Sequence, residues 1–425
     1  MDRFNNFQSF KDNLDCLGQF RMELGLGRMK QAMARLFAKG FEVTSAQIVG
    51  TNGKGSTAVF LESLARQHGL KTGLYTSPHL VSMKERIRIR GRTIPDEDWL
   101  QAGNEVFSKC HGLDLTYFEV LTLMAMVIFQ RQKVELAVLE AGLGGRFDAT
   151  TAVDPAVNIF TPISFDHTKI LGNSLEKIAW DKAGAMKKGQ VVLAGQEQKV
   201  MEVLLQRAAD LGASICLVKD HFQFADQAVK HRHDPLMLIR DLDLGLKGGH
   251  QLENAACAFL AWKVLAEEKG WRLDPGLCAR ALKEVHWPGR LHAAQEKPLL
   301  ILDGAHNEQA LNALKKALDQ MGVKPEILVF SCLKDKDVSR LAKIVASFDA
   351  RIIFVPDIHG NPRAMPKEEL ALIIGQKARL LSNVSQFLAG LKDNDGPVLV
   401  CGSLYLLGEI YSEFPQWLDS RADSS

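Results

Sequence analysis

The sequence predicts two α/β domains, each built on a mostly parallel sheet. Three observations carry that reading. The chain has 425 residues, more than one ordinary core encloses. Apolar runs without alternation, such as Val134 to Leu139 and Ala156 to Phe160, suit strands covered on both faces. The order strand, loop, helix also repeats, first near residue 46 and again near residue 298.

The elements follow in order. The first forty residues have a helical pattern broken by a turn at Leu24-Gly25-Leu26-Gly27. A strand over Ala46 to Val49 runs into Gly-Thr-Asn-Gly-Lys-Gly-Ser. Ala58, Leu61, Leu64 and Ala65 then keep helical spacing until Gly69 offers a C-cap. Leu74 to Thr76 is a second short strand, ended by Ser77-Pro78. Phe118 to Phe129 is apolar nearly all round, the mark of a buried helix. The second series has strands at Leu299–Leu302, Ile327–Phe330, Ile352–Val355 and Val398–Val400. Between the series, His286-Trp287-Pro288-Gly289-Arg290 is a Pro-Gly break suited to a link. The expected domains are 1–288 and 289–425, and no low-complexity tract or short-period repeat interrupts them.

Composition narrows the function classes. Hydrophobic content of 46% and charged content of 24% fit a globular protein. Lys plus Arg is 52 against 50 for Asp plus Glu, a net charge of +2, which offers no global field for nucleic acid or an anionic membrane. Seven scattered cysteines without a CxxC read as buried thiols in a reducing compartment. The N-terminus lacks the apolar core of a signal peptide. The most apolar stretch, Val120 to Phe129, is far short of the ~20 residues of a membrane span. A cytoplasmic location is expected.

The sharpest local signal is Gly50-Thr51-Asn52-Gly53-Lys54-Gly55-Ser56-Thr57, between a strand and a helix. Small residues let backbone N–H groups approach phosphate oxygens at a helix N-terminus. Lys54 can neutralise a transferring phosphoryl group. The strict P-loop spacing fails, because Ile48 stands five residues before Gly53. An ordinary Gly-rich turn is the alternative.

Ser77, Glu140 and His167 lie at or beyond predicted strand ends, where an open parallel sheet binds its ligands. Glu140 suits Mg²⁺, which prefers oxygen and bridges nucleotide phosphates. Imidazole is a poorer Mg²⁺ ligand, so Asp166-His167-Thr168 could instead close a turn. Lys182 alone reads as a solvated helix lysine. Arg86, Arg88 and Arg90 read as one face of a strand, a stripe more often solvated that could also attract a polyanionic tail, and no contact is assigned to it. Gly142-Leu143-Gly144-Gly145 lacks the full dinucleotide-loop spacing.

Taken together, GTNGKGS, TSPHL, TYFE, LEAGLGGRFDAT, SFDHTKILG and DKAGAMKKG resemble the Mur ligase superfamily. HQLENAACA, WPGRL, LDGAHN and VLVCGSLYLLGE extend the likeness from about residue 20 to 410. Within that superfamily the sequence resembles the dihydrofolate synthase/folylpolyglutamate synthase family. The resemblance implies a P-loop ATPase-like sheet domain followed by a smaller Rossmann-like domain. It implies a monomeric ATP-dependent ligase joining L-glutamate to dihydropteroate, to the γ-carboxylate of a reduced folate, or to both, through an acyl phosphate. ATP would meet Thr51, Asn52, Gly53, Lys54, Gly55 and Ser56, with Asn254, Arg290 and Asp303 completing its site. Two Mg²⁺ ions would involve Ser77, Glu140, His167 and a carbamate on Lys182, and K⁺ is a further implied cofactor. Lys54, Lys182 and His167 would be the catalytic group.

The same likeness places a pterin against Thr116, Tyr117, Phe118, Glu119 and Phe147. An aromatic pair flanked by polar groups suits a flat heterocycle. Thr116 and Glu119 also have the spacing of a helix capping box. Asn254, Arg290 and Asp303 have structural alternatives as well: a helix-surface amide, an interdomain ion pair and a helix cap. The sequence departs from the family pattern at Asp181, where Glu is usual, and at Phe147, where Leu is common. The rivals are a muropeptide ligase, a non-catalytic nucleotide-binding module and a Rossmann oxidoreductase. The first is disfavoured because the phosphate loop begins too early to leave room for an extra N-terminal domain.

Overall fold

The computed structural model describes residues 4–225, 228–232, 238–240 and 243–418. The first sheet contains β1 (Thr44–Val49), β2 (Thr72–Tyr75), β3 (Ile87–Ile89), β4 (Arg92–Thr93), β5 (Leu136–Glu140), β6 (Val157–Phe160), β7 (Gln190–Leu193) and β8 (Ser214–Leu217). Their spatial order is β4-β3-β2-β5-β1-β6-β7-β8. The pairings from β2 across to β8 are parallel, and β3 and β4 extend one edge antiparallel.

The strand pleat divides the core between two faces. Leu136 and Val138 of β5 join the helices Lys54–Gln67 and Gly249–Lys269, whereas Ala137 and Leu139 face the helix Tyr117–Arg131. On that second face, the helices Phe7–Cys16, Gly27–Leu36 and Asp96–Lys109 form an outer layer. The Tyr117–Arg131 helix therefore has protein on all sides, which explains its lack of a polar stripe. Toward β7, Leu175–Ala183 and Gln198–Leu211 cover Phe160, Val191 and Leu193.

A small antiparallel sheet follows, with β9 (Phe222–Ala225), β10 (Ala228–His231) and β11 (Leu238–Arg240). The second large sheet holds β12 (His292–Glu296), β13 (Leu299–Leu302), β14 (Ile327–Phe330), β15 (Ile352–Pro356), β16 (Ala378–Leu381) and β17 (Val398–Cys401). It is ordered β12-β13-β17-β14-β15-β16 and is parallel except for β12. Leu311, Leu341 and Leu370 cover one face; Leu388, Leu407 and Ile410 cover the other. The chain is thus two α/β units with mostly parallel sheets, as expected. Among the described residues no helix is long and apolar enough to cross a membrane.

One local expectation fails. Residues Met83–Arg86 form a 3₁₀ turn closed by a Ser82/Glu85 capping box, and only Ile87–Ile89 are strand. Arg86 is buried and Arg90 takes a left-handed backbone (φ 51°), so no solvated arginine stripe exists. Alternating Arg and Ile imitate an amphipathic strand, but the cap starts a turn first.

Where β2 crosses the Tyr117–Arg131 helix, Gly73 leaves no space for a methyl group. A Cβ there would lie 2.6 Å from the Phe129 ring. Gly73→Ala should destabilise the protein by about 1–3 kcal/mol through overpacking. Phe129→Leu in the same chain should recover part of that loss. Urea denaturation of the two variants checks this, and an unchanged midpoint for the single variant would contradict it.

Candidate active site

The phosphate loop leaves β1 at Val49 and enters the helix at Lys54. Its path is fixed by the end of β6. Thr51 N and Asn52 N donate to Pro162 O at 3.0 and 3.2 Å, and Thr51 Oγ1 exchanges hydrogen bonds with the Ser164 backbone at 3.1 Å. A side chain at Gly50 would overlap Thr161, and one at Gly53 would overlap the Asn254 amide. Gly53 also has φ 82°, a conformation that favours glycine. It makes no side-chain cap, so the first-turn N–H groups of the Lys54–Gln67 helix remain for an anion. Lys54 Nζ donates to Thr51 O at 3.1 Å.

Ser77, Glu140, His167, Lys182, Asn254, Arg290 and Asp303 line the same cleft, a cavity of about 290 Å³. Glu140 is buried and accepts from Ser77 N at 3.0 Å. Burial raises its pKa, while the charge of Lys54 opposes that rise. Among the described residues it has no ion pair, so a desolvated carboxylate faces the loop, which fits a bound cation. Among the described residues no three His, Cys, Asp or Glu side chains converge there. A metal would therefore draw on the Ser77 hydroxyl, Glu140, His167 and oxygens of its substrate. His167 begins the short helix Thr168–Leu171, its carbonyl accepting from Ile170 and Leu171 at 2.9 and 3.0 Å. It closes the turn and lines the cleft as well. Burial lowers its pKa to about 4 despite the Asp166 charge, leaving a neutral ring.

Lys182 is not the solvated helix lysine its context suggests. The last turn of Leu175–Ala183 lies beneath the phosphate loop, where Lys182 is buried and donates from Nζ to Gly50 O at 2.8 Å. Burial, with the nearby Lys54 charge, lowers its pKa to about 7. Asp181, the departure from the family pattern, accepts from Gly145 N at 3.0 Å. Gly145 in turn lies so close to the Lys182 backbone that any side chain would overlap it. Gly142 N and Leu143 N both donate to Asp148 Oδ2, at 2.8 and 3.0 Å, and are already engaged.

The second domain closes the cleft. Asn52 Nδ2 donates to Asn307 and Gln309, and Asn307 Nδ2 donates to Asn52 and Asp166. Asp166 also pairs with Lys336 and His306. Burial would raise the Asp166 pKa, but hydrogen bonding to His306 and the charge of Lys336, joined by His306 and His167 once they are protonated, hold it well below the carboxylate range. The pairing of Asp166 with Lys336, 170 positions away, has no local signature in the sequence. Asp303 does not cap the following helix. It accepts from Leu291 N and Ala305 N at 2.8 Å, and Asn307 caps Glu308–Gln320. Asn254 is buried and bonded to Gln251, so it is no surface amide. Arg290 Nη1 donates to Gly289 O at 3.0 Å and packs over Gly304.

A second cavity of about 790 Å³ adjoins the cleft, sharing Ser77, Gly142, Leu143 and His167 with it. Thr116, Tyr117, Phe118, Glu119 and Phe147 all line it. The capping box is also real: Glu119 N donates to Thr116 Oγ1, and Thr116 N donates to Glu119 Oε2 at 2.8 Å. Arg28 then pairs with Glu119 at 3.1 Å. The segment thus caps its helix and lines the cavity at once. Phe118 packs on Gly142, where a Cβ would lie 2.6 Å from its ring. Phe147 and Trp180 stand at the rim, 37% and 59% exposed. Buried Arg86 lines this cavity too, its Nε donating to His79 Nδ1 at 2.8 Å.

The Mur ligase middle domain pattern matches residues 48–262, and the dihydrofolate synthetase C-terminal domain pattern matches residues 290–413. A dihydrofolate synthase/folylpolyglutamate synthase of Bacillus subtilis is 33% identical over 411 residues, covering 92% of this chain and 95% of its own. This chain belongs to the dihydrofolate synthase/folylpolyglutamate synthase family. The Escherichia coli member is 30% identical, with 95% and 94% covered. A structure of E. coli FolC in complex with DHPP and ADP superimposes with a TM-score of 0.86 at 28% identity, over 100% of both chains. A Mycobacterium tuberculosis folylpolyglutamate synthase complexed with ADP gives 0.83 at 28% identity, over 96% and 98%. The likeness to this family spans both sheets.

The buried Lys182 has a measurable signature. Its folded pKa of about 7 lies below the usual 10.5. Between those values the unfolded chain holds a proton that the folded chain lacks, so stability rises with pH across that window. Below it both states are protonated and the full burial cost remains. In ligand-free protein, Lys182→Met should raise the melting temperature near pH 6 and flatten the rise between about pH 7 and 10. Thermal melts across that range test this; parallel curves for the two proteins would contradict it.

Proposed function

We propose that this protein is an ATP-dependent ligase that joins L-glutamate both to dihydropteroate and to the γ-carboxylate of reduced folates. The observation that carries the reading is the continuity of the two cavities through Ser77, Gly142, Leu143 and His167. A phosphate site on one side meets an apolar, aromatic-walled site on the other. An acceptor seated in the larger cavity presents its carboxylate to the γ-phosphorus of ATP in the cleft.

The chain's own groups support two steps. ATP phosphates lie against the open first-turn N–H groups of the Lys54–Gln67 helix, with Asn254, Arg290 and Asp303 around the rest of the nucleotide. Lys54 exchanges Thr51 O for a phosphate oxygen and stabilises the charge that develops as the acceptor carboxylate attacks. Glutamate's amine then attacks the acyl phosphate, forming the amide and releasing phosphate. The Asp166 contacts to Lys336, His306 and Asn307 hold the domains together and exclude water that would hydrolyse the intermediate. Ser77, Glu140 and His167 would hold Mg²⁺, which supplies charge neutralisation at the phosphates. A monomer is part of the same reading. The seven cysteines are free, in keeping with a cytoplasmic enzyme.

The finer cofactor reading adds a second Mg²⁺, K⁺ and a carbamate on Lys182. A carbamate needs a neutral amine, and burial of Lys182 beneath the loop supports one. It would convert a cation into an oxygen ligand. Protein equilibrated with ¹³C-bicarbonate should show a carbamate carbon resonance that Lys182→Met lacks. The same resonance in both proteins, or in neither, would remove the carbamate from the proposal.

The deciding assay supplies dihydropteroate, ATP, Mg²⁺ and glutamate, with tetrahydrofolate as a parallel acceptor. Chromatography should find dihydrofolate in the first reaction and an extended folate in the second. Glu140→Ala should lose both products while staying folded, a loss on the order of several kcal/mol of transition-state stabilisation. Extension without dihydrofolate would leave only the polyglutamate activity, and wild-type turnover by Glu140→Ala would refute the metal assignment.

A further inference from the structure

We infer that Arg86 receives the carboxylate of the acceptor substrate, holding it at the junction of the two cavities. Its side chain is only 4% exposed, and arginine is seldom so buried without an opposite charge. Among the described residues no carboxylate pairs with it. Its Nε–H is taken by His79 Nδ1 at 2.8 Å. An imidazole nitrogen that accepts a hydrogen bond carries no proton, so His79 orients the guanidinium without cancelling its charge. The two terminal nitrogens have no hydrogen-bond partner among the described residues, and the side chain lines the larger cavity.

The other cations of that wall differ. Arg21 pairs with Glu23 and Asp114, Lys336 with Asp166, and Arg363 with Asp335. Lys177 lies at the exposed rim. Among the described residues Arg86 is therefore the buried cation of that wall without a salt bridge; the Glu140 carboxylate is near enough to feel its charge but does not pair with it. The Tyr117 ring lies beside the guanidinium carbon at 5.7 Å, and the Arg86 carbonyl accepts from Thr76 N at 3.0 Å. That bond roots the arginine next to Ser77, where the cavities meet. A planar fork with free parallel N–H groups matches a carboxylate better than a pterin edge or a phosphate monoanion at one corner. Seated there, the carboxylate is turned toward ATP and shielded from its charge.

This inference rests on the ligase reading and is tested by binding rather than turnover. Affinities of 7,8-dihydropteroate and its carboxamide are measured by calorimetry in the presence of ADP, for the wild type and Arg86→Gln. The wild type should prefer the carboxylate by about 10- to 100-fold, and Arg86→Gln should bring that ratio close to one. Arg86→Lys keeps the charge without the fork and should restore an intermediate ratio; it also serves if the glutamine variant fails to fold, ADP affinity reporting the fold. The same preference in all three proteins would overturn the role of Arg86 and leave the ligase reading intact. Failure of the wild type to bind either compound or tetrahydrofolate would overturn both.

Discussion

The site depends on the packing of four loop residues, Gly50 to Gly53, into a space that admits no side chain at Gly50 or Gly53. The segment that follows strand β6 grips the loop through Pro162 and Ser164, the Gly249–Lys269 helix presses Asn254 against Gly53, and Lys182 rises from below to the Gly50 carbonyl. Three elements far apart in sequence thus converge on one short turn. Because each meets backbone rather than a flexible side chain, small movements in any of them reposition the N–H groups that face phosphate.

Charge is arranged around that turn with a surplus awaiting a ligand. Lys54, Lys182, Arg290 and Arg86 all act on one another or on Glu140, a buried carboxylate that lines the same cleft. Across the cleft, Asp166 gathers His167, His306 and Lys336 from both domains. The first cluster carries more positive than negative charge, and the second is balanced internally. Nucleotide phosphates and an acceptor carboxylate would complete the first, while the second holds the cleft together.

Much of the framework was readable from sequence. Covered parallel strands are plain apolar runs, and the loop between β1 and its helix is distinctive in composition. The remaining elements were hidden by local ambiguity. A lysine in the last turn of a helix resembles a surface residue until tertiary packing buries it, as at Lys182. Arg86 was hidden by an Arg–Ile alternation that imitates a strand, although Ser82 and Glu85 carried the signature of a turn. Asp303 looked like a cap because a helix follows, yet Asn307 sits nearer the helix start and takes that role. The Asp166–Lys336 pair left no local trace, since it exists only once two domains meet.

The Tyr117–Arg131 helix begins in the acceptor cavity and ends against β2, about 20 Å away at the rise of an α-helix. It is enclosed along that length by the N-terminal helices. A rod held this tightly transmits displacement along its axis. Changes in remote core residues, such as Phe129 or the ring of Phe10 that fills the space above Gly103, can therefore shift Tyr117 and Phe118 without touching a substrate. Lineages could retune acceptor preference through interior drift while every residue that meets the ligand stays the same.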